Sequence, residues 1–484
     1  MKDHEFSNLT RRQFIRRAAC AAVGTAAMTS TIRDLRFMNA AVAQSKITGY
    51  KAIVCIFLAG GNDSNNMIVP TLSSEYANYA SIRTSVLALP QNSILPVTSL
   101  DGDGHTYGLH PGCPELQTLF GEGKLAFLFN TGTLIFPINR AQYQAGKMNP
   151  PQLFSHADQV TQWQTSVPDQ PPLTGWGGRC ADLLASLQPT APVSLLVTLG
   201  GANTFEIGNI MTQYSVSTSG AISLNGVGGA RLQALTNILG LPHTNLQEQA
   251  YSGVVEHAIN TSGLLNSAIG KTSTANNWVW NTPFPTSITS PTGGSKFNSS
   301  LSPQLLMIAR LIEAGNRSAA AGGFGMQRQI FFCQVGGYDL HTGQTPGVGS
   351  TTVGSHANLL AELSQSMFAF QRAMEQLGLS NSVTTFTASD FGRTFPSNGQ
   401  GSDHGWGSHH LILGGAVKGQ RTYGTFPVLT INGPNDTSTG RWIPTTAIDQ
   451  YFSTIATWFG VSASDLTTVF PNIGRFGTSN LQFV

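Results

Sequence analysis

Five short apolar runs, most of them closed by glycines, constrain this chain more than any other feature. Residues 51–59 (KAIVCIFLA) end in Gly60-Gly61, residues 192–198 (PVSLLVT) run into Gly200-Gly201, and residues 329–335 (QIFFCQV) end in Gly336-Gly337. Residues 124–130 (KLAFLFN) precede Thr131-Gly132, and residues 383–388 (VTTFTA) lead straight into Ser389-Asp390. Continuous apolar runs of this length read as strands buried on both faces, as in a parallel sheet. Amphipathic stretches separate them. Residues 356–378 carry Leu359, Leu360, Leu363, Met367, Phe370 and Met374 at helical spacing, and residues 303–320 and 114–121 also read as helices. Buried strands alternating with such helices predict an α/β fold, a three-layer sandwich around a largely parallel central sheet. Residues 215–229 and 272–302 are rich in Ser, Thr, Gly and Asn and read as surface loops or an inserted cap. Residues 44–484 are therefore expected to be one domain with an irregular insertion at about 200–300.

The charge balance narrows the function. Only 10% of the 484 residues are charged, with 26 Lys+Arg against 24 Asp+Glu. Such a chain lacks the basic surface that a nucleic-acid binder needs, and 53 glycines argue against a coiled coil or helical solenoid. Thr10-Arg11-Arg12-Gln13-Phe14-Ile15-Arg16, a weakly apolar stretch and Ala41-Val42-Ala43 together predict a twin-arginine signal over residues 1–43. The expected partner is the twin-arginine export machinery, and the expected location is periplasmic or extracellular. Beyond Gln44 no apolar run reaches the roughly 18 residues of a membrane span, so no stable span is expected. Cys55, Cys113, Cys180 and Cys333 lie far apart without a CxxC pair, which disfavours zinc ligation by thiolates. Cys55 and Cys333 sit inside apolar runs and read as core thiols; one disulfide among the four is compatible with an oxidising compartment.

The few acids and histidines gather where the strands end. After the first run comes Gly60-Gly61-Asn62-Asp63-Ser64-Asn65-Asn66, after the fourth Gly336-Gly337-Tyr338-Asp339-Leu340-His341, and after the fifth Ser389-Asp390-Phe391-Gly392-Arg393-Thr394. Gly401-Ser402-Asp403-His404-Gly405-Trp406-Gly407 follows, with His409-His410 just beyond. Open α/β sheets bind ligands outside the carboxyl ends of their strands. Carboxylates and imidazoles suit zinc, manganese, magnesium or calcium. Each residue also has a purely structural reading: Asp63 as a turn or helix cap, Asp339 and His341 as a turn pair, Asp390 paired with Arg393, Asp403 bracing its loop. His110, in Gly108-Leu109-His110-Pro111, reads as structural.

The ordered set GGNDSNN, LHP (109–111), SH (155–156), GW (175–176), GGYDLH, SDFGRT and SDHGWG resembles the secreted bacterial family named domain of unknown function 1501. The resemblance runs from about residue 51 to 477. That family is similar to the alkaline phosphatase and sulfatase superfamily, which implies an α/β core with paired metal sites at the strand ends. By that comparison Asp339, His341 and His404 correspond to the first metal set, and Asp63 and Asp390 to the carboxylates of the second. Two departures stand out. Phe391 follows Asp390 where the superfamily has a histidine, and the single residue between Asp339 and His341 is tighter than the usual spacing.

For the nucleophile, the superfamily places Ser, Thr or a modified Cys at the start of a helix. Ser155 fits best, ahead of Ser64 and Thr131, although Ser155-x-x-Asp158 also resembles a helix capping box. No sulfatase-type Cys-x-Pro-x-Arg surrounds the four cysteines, and no G-x-S-x-G elbow occurs. The expectation is an exported metal-dependent hydrolase of phosphate or sulfate esters, acting on a small-molecule ester or glycan. Ser155 would attack, Arg393 would stabilise charge on the transferred group, and His156, or else His110, would donate a proton or serve as an extra ligand. The alternative is a non-catalytic secreted protein of the same fold, acting as a binding or structural module.

Overall fold

A computed structural model of the chain describes residues 49–146, 148–171, 173–188, 191–221, 226–242, 245–270, 282–291 and 296–484. The expected signal at 1–43 lies outside the described residues. Among the described residues no helix is long and apolar enough to cross a membrane.

The expected sandwich is what the chain forms. Its central ten-stranded sheet contains β1 (Lys51–Leu58), β2 (Leu125–Gly132), β3 (Leu196–Thr198), β4 (Tyr214–Ser217), β5 (Gly220–Ala221), β6 (Arg328–Val335), β7 (Val383–Ser389), β8 (Ser408–Leu413), β9 (Thr422–Tyr423) and β10 (Thr446–Ala447). The order is β9-β2-β8-β7-β1-β6-β3-β4-β5, with β10 also pairing β2. Most pairs are parallel; β8 runs antiparallel to both β7 and β2, and β4 and β5 form an antiparallel edge. The apolar run at 192–198 is strand only over its last three residues, Leu196–Thr198. The stretch 215–229, read as loop, supplies the edge strands β4 and β5.

β1 is fully flanked: Cys55 lies beside Phe332 of β6 and Phe386 of β7. These side chains face Phe57, Trp163, Trp176 and Phe452 in a dense aromatic layer, where Trp176 stacks on Phe452 at 4.6 Å. Burying each such ring contributes about 1.5–3 kcal/mol. That layer includes α3 (His156–Thr165), α4 (Trp176–Leu184) and α9 (Ile448–Phe459), whereas α2 (Pro114–Gly121), α7 (Leu301–Asn316) and α8 (Ser355–Gln376) pack on one another. The helix α1 (Ser73–Leu87) is interrupted at Thr84, whose φ of 58° is non-helical. Within the expected insertion, α5 (Ala230–Leu239) has no buried residue, and α6 (Leu246–Gly270) packs against it. All four cysteines among the described residues are buried and free.

Candidate metal centre

Two glycines let three strand ends converge. Gly60 follows β1 at φ +116°, and a Cβ there would lie 2.4 Å from the Asp339 backbone nitrogen. Gly61 has φ +84°, and its Cβ would meet the Phe391 ring. Only glycine combines that backbone with such close approach. The Gly60 N–H donates to Asp390 Oδ1 (2.9 Å), the Asn62 N–H to Ser389 Oγ (2.9 Å), and Ser389 Oγ–H to the Leu58 carbonyl (2.6 Å). The carboxyl ends of β1 and β7 are thereby stitched together, with the loop after β6 against them.

Four side chains meet at this point. His404 Nε2 and His341 Nε2 each lie 3.2 Å from Asp339 Oδ1, and 2.8 Å from each other. His156 Nε2 lies 3.4 Å from Asp339 Oδ2. One ligand atom each from His156, Asp339 and His404 falls within 4.8 Å of the other two. The site is open to solvent: the Asp339 side chain is 47% exposed, His341 41% and His156 36%. Phe391, fully buried, packs its ring 4.8 Å from that of His156 and 4.5 Å from that of His404.

Each imidazole is held from behind through its other nitrogen. His156 Nδ1–H donates to Asp390 Oδ2 (2.7 Å), His341 Nδ1–H to Asp403 Oδ1 (2.9 Å), and His404 Nδ1–H to the Phe154 carbonyl (2.8 Å). A carbonyl can only accept, so His404 carries its hydrogen on Nδ1. A neutral ring protonated there presents a bare lone pair at Nε2. With all three rings in that form, the Nε2 atoms and the Asp339 carboxylate would be acceptors only. His156 Nε2 is buried without a hydrogen-bond partner. Such a group calls for a cation, either an additional proton or a metal ion. Imidazoles anchored on carboxylates or carbonyls are the usual outer arrangement of histidine ligands.

The surrounding charges act in the same direction. Burial alone would raise the Asp339 carboxyl, but Arg393, His156 and His404 outweigh it and hold it below the usual carboxylate range. Asp403 is likewise held low, against burial, by Asn398, His341 and Arg393. Burial is the main cause that pushes His404 below its usual value, against the hydrogen bonds to Phe154 and Asp339.

The other expected site residues lie elsewhere or play other parts. Asp63, expected as a metal ligand, is 2% exposed and fully engaged. Its Oδ2 accepts from Arg83 and Gln344, and its Oδ1 from Asn65. Burial would raise this carboxyl, yet Arg83 and His356, with the hydrogen bond from Gln344, keep it low. Its cation is the Arg83 guanidinium. Asp390, also expected as a ligand, has one oxygen on Gly60 and the other on His156. Arg393, expected to face the substrate, has a fully buried side chain that donates to Asp339 Oδ1 at 2.8 Å. Ser155 precedes α3, but its hydroxyl donates to Asp158 Oδ2 (2.6 Å) and meets no group of the cluster. Ser64 accepts from the His409 N–H, and Thr131 is completely buried. His110 is structural, its Nδ1 accepting from the Gly112 N–H.

Four contributors escaped the sequence reading: Asp403 as an anchor for a histidine, Phe154 through its carbonyl, Arg83 as counter-charge and Arg441 beside His404. Only Asp403 gave a signal, as the neighbour of His404 in a chain poor in charge.

Residues 292–450 match the family described as "Protein of unknown function (DUF1501)". The motif resemblance holds for this stretch. The DUF1501 segment contains Asp339, His341, Asp390, Arg393, Asp403, His404 and Arg441, whereas Asp63, Phe154 and His156 precede it. Nothing among curated proteins matches the chain. Among solved structures it is similar to the C-terminal periplasmic domain of EcEptC from Escherichia coli, in complex with Zn, at 11% identity. That match covers 87% of this chain and 85% of the other, with a TM-score of 0.31. It is also similar to the PsFucS1 sulfatase from Pseudoalteromonas (11% identity, 90% and 75% covered, TM-score 0.30). The phosphonate monoester hydrolase SpPMH from Silicibacter pomeroyi is comparable (9% identity, 85% and 74% covered, TM-score 0.31). These overlaps are loose, so the chemistry of the site rests on this chain's own residues.

Proposed function

We propose that this protein is an exported hydrolase of phosphate or sulfate esters that works with one divalent metal ion. The observation that carries the reading is the set of three imidazoles, each anchored through Nδ1, whose Nε2 atoms converge on Asp339. His156, His404 and Asp339 would hold the ion, with His341 as a fourth ligand. Asp390, Asp403 and the Phe154 carbonyl fix the three rings, and Arg393 braces Asp339 from the buried side. This differs from the two-metal arrangement that the resemblance implies. His156, at the start of α3, brings an imidazole beside Phe391, and Arg83 supplies Asp63 with its positive charge. Three nitrogens and one carboxylate oxygen suit zinc better than magnesium or calcium, which favour oxygen ligands.

A bound ion would lower the pKa of water and polarise a phosphoryl or sulfuryl oxygen. Among the described residues no Ser, Thr or Cys side chain bonds to the four ligands, so water is the nucleophile that fits. Asp339 and His341, the most exposed of the four, leave the centre accessible to a substrate from solvent. The motif resemblance to the DUF1501 family, itself similar to the alkaline phosphatase and sulfatase superfamily, supports ester chemistry at such a centre. The same lack of a side-chain nucleophile favours one second reading, a metal-stabilised binding module.

Metal analysis of the exported protein, followed by a panel of chromogenic phosphate and sulfate esters, tests both. One equivalent of zinc, lost in His404→Ala, with metal-dependent ester cleavage supports the hydrolase. Zinc without turnover on any ester points to the binding module. A protein that takes up no metal refutes both.

A further inference from the structure

We infer that Arg441 is the anion-holding residue of this site, and that its ligand is the tetrahedral oxyanion of a phosphate or sulfate ester. The inference rests on the metal-dependent reading above and specifies how the substrate is gripped. Arg393, the arginine expected in this role, is sealed behind Asp339. Arg441 is partly exposed and is bound to the residue pair that fixes His404. Its Nε–H donates to the His404 carbonyl at 2.7 Å, and its guanidinium stacks over the Phe154 ring at 4.2 Å. Phe154 is the residue whose carbonyl accepts from His404 Nδ1. Its φ of 74° is unusual for a bulky side chain, so the chain holds a costly backbone conformation where ring and carbonyl serve these two neighbours.

The loop that carries Arg441 is braced on both sides. Asp436, completely buried, accepts from the backbone N–H groups of Asn432 (2.8 Å), Ser438 (3.1 Å) and Gly440 (2.7 Å). On the other side, Trp442 is buried and its Nε1–H donates to Asn65 Oδ1 at 2.9 Å. The guanidinium is thus preorganised by one nitrogen and one face. Among the described residues its Nη1 and Nη2 carry no hydrogen bond or ion pair, although a chain this poor in charge has partnered most of its other half-buried arginines. A planar fork with two free N–H corners matches two oxygens of a phosphoryl or sulfuryl group. The Nε–H bond to the His404 carbonyl ties the fork to the backbone of a proposed metal ligand, and the role assigned here requires the ion and the fork to hold one anion together.

The test uses the full exported chain loaded with zinc, titrated calorimetrically with inorganic phosphate and, separately, inorganic sulfate. Arg441→Gln keeps an N–H able to reach the His404 carbonyl but removes the charge; Arg441→Lys keeps the charge without the fork. The expected result is unchanged zinc stoichiometry in all three proteins. Anion affinity should fall by about ten- to a hundredfold in the glutamine variant and recover partly in the lysine variant. The phosphate and sulfate arms show which ester class the site prefers. Equal anion affinity in wild type and Arg441→Gln overturns the inference while leaving the metal reading intact. Loss of zinc in Arg441→Gln also overturns it, since Arg441 would then serve only to brace His404. A wild type that takes up no zinc fails the metal reading itself, and the zinc count separates that result from the other two.

Discussion

Asp390→Asn separates a ligand from a ligand's anchor more sharply than any other change at this site. In the wild type, Asp390 Oδ1 accepts from the Gly60 N–H and Oδ2 accepts from His156 Nδ1–H. Asparagine is almost isosteric, but only one of its two terminal atoms accepts. The Gly60 N–H is fixed by a glycine-only backbone and cannot turn away, so the amide oxygen must stay on it. The amide nitrogen then faces His156 Nδ1, donor against donor. His156 can relieve the clash only by moving its hydrogen to Nε2, where it points at Asp339 and the other two imidazoles. One ligand lone pair becomes an N–H in the middle of the centre. Outer anchors of histidine ligands are worth roughly 10- to 100-fold in metal affinity, or about 1.4–2.7 kcal/mol. Removing a direct ligand should cost more.

The assay is zinc affinity by competition with a chromophoric chelator, run beside thermal melting. Asp390→Asn should still bind zinc, about 10- to 100-fold more weakly, and His404→Ala should bind more weakly still. Wild-type zinc affinity in Asp390→Asn would refute the anchor role. Complete loss, matching His404→Ala, would mean that Asp390 touches the metal directly.

Three further outcomes follow from the same geometry. Asp63→Asn should keep wild-type zinc affinity yet lower stability by roughly 3–5 kcal/mol, because it strips the counter-charge from buried Arg83; chemical denaturation measures the stability, and a selective loss of zinc would restore Asp63 as a ligand. Acid should destabilise the fold through four buried histidines, His110, His409 and His410 pushed down to about 3 and His356 to about 4, chiefly by burial. Unfolded histidines take up protons near pH 6.5 while these stay neutral, so their contribution is complete above about pH 6.5 and fades as pH falls towards 4 and 3; a melting temperature flat from pH 7 to 4 would contradict it. Ser155→Ala should leave zinc content unchanged and ester turnover within about twofold, the range of ordinary surface changes; a thousandfold drop in kcat would make Ser155 the nucleophile after all.

The sequence revealed the strands because a strand covered on both faces needs apolar side chains throughout, so KAIVCIFLA and QIFFCQV announce themselves. It was less clear about β8, where His409 and His410 break the pattern. Both rings are buried among aromatics, His410 against Trp163 at 4.8 Å and His409 against Phe129 at 5.2 Å. The place of the site at the strand ends was legible too, since glycines and acids accumulate there. The role of each acid was not. Asp63, Asp339 and Asp390 share the same local setting, after a buried strand and near glycine. What distinguishes them is the third dimension: Arg83 beside one, His156 beside another, and three imidazoles around the last. His156 and Arg441 come from distant segments whose local spacing gives no reason to link them to His404.

The contrast between Asp63 and Asp339 explains why one centre can be both held firmly and left open. Both carboxylates stand where the sheet ends and both need positive charge. Asp63 receives it from Arg83, a permanent cation inside the protein, and is closed to solvent. Asp339 has Arg393 on one oxygen only, and its exposed side faces three imidazole Nε2 atoms. A buried carboxylate with a built-in cation adds nothing exchangeable, so the first pair serves the fold. The second lacks charge on its open side, so an ion from solution can complete it. If the proposed ion is bound, removing it with a chelator should abolish the proposed ester cleavage while the Asp63–Arg83 pair keeps the strand ends assembled. A fold that collapsed on chelation would show that the metal holds the sheet's carboxyl end together.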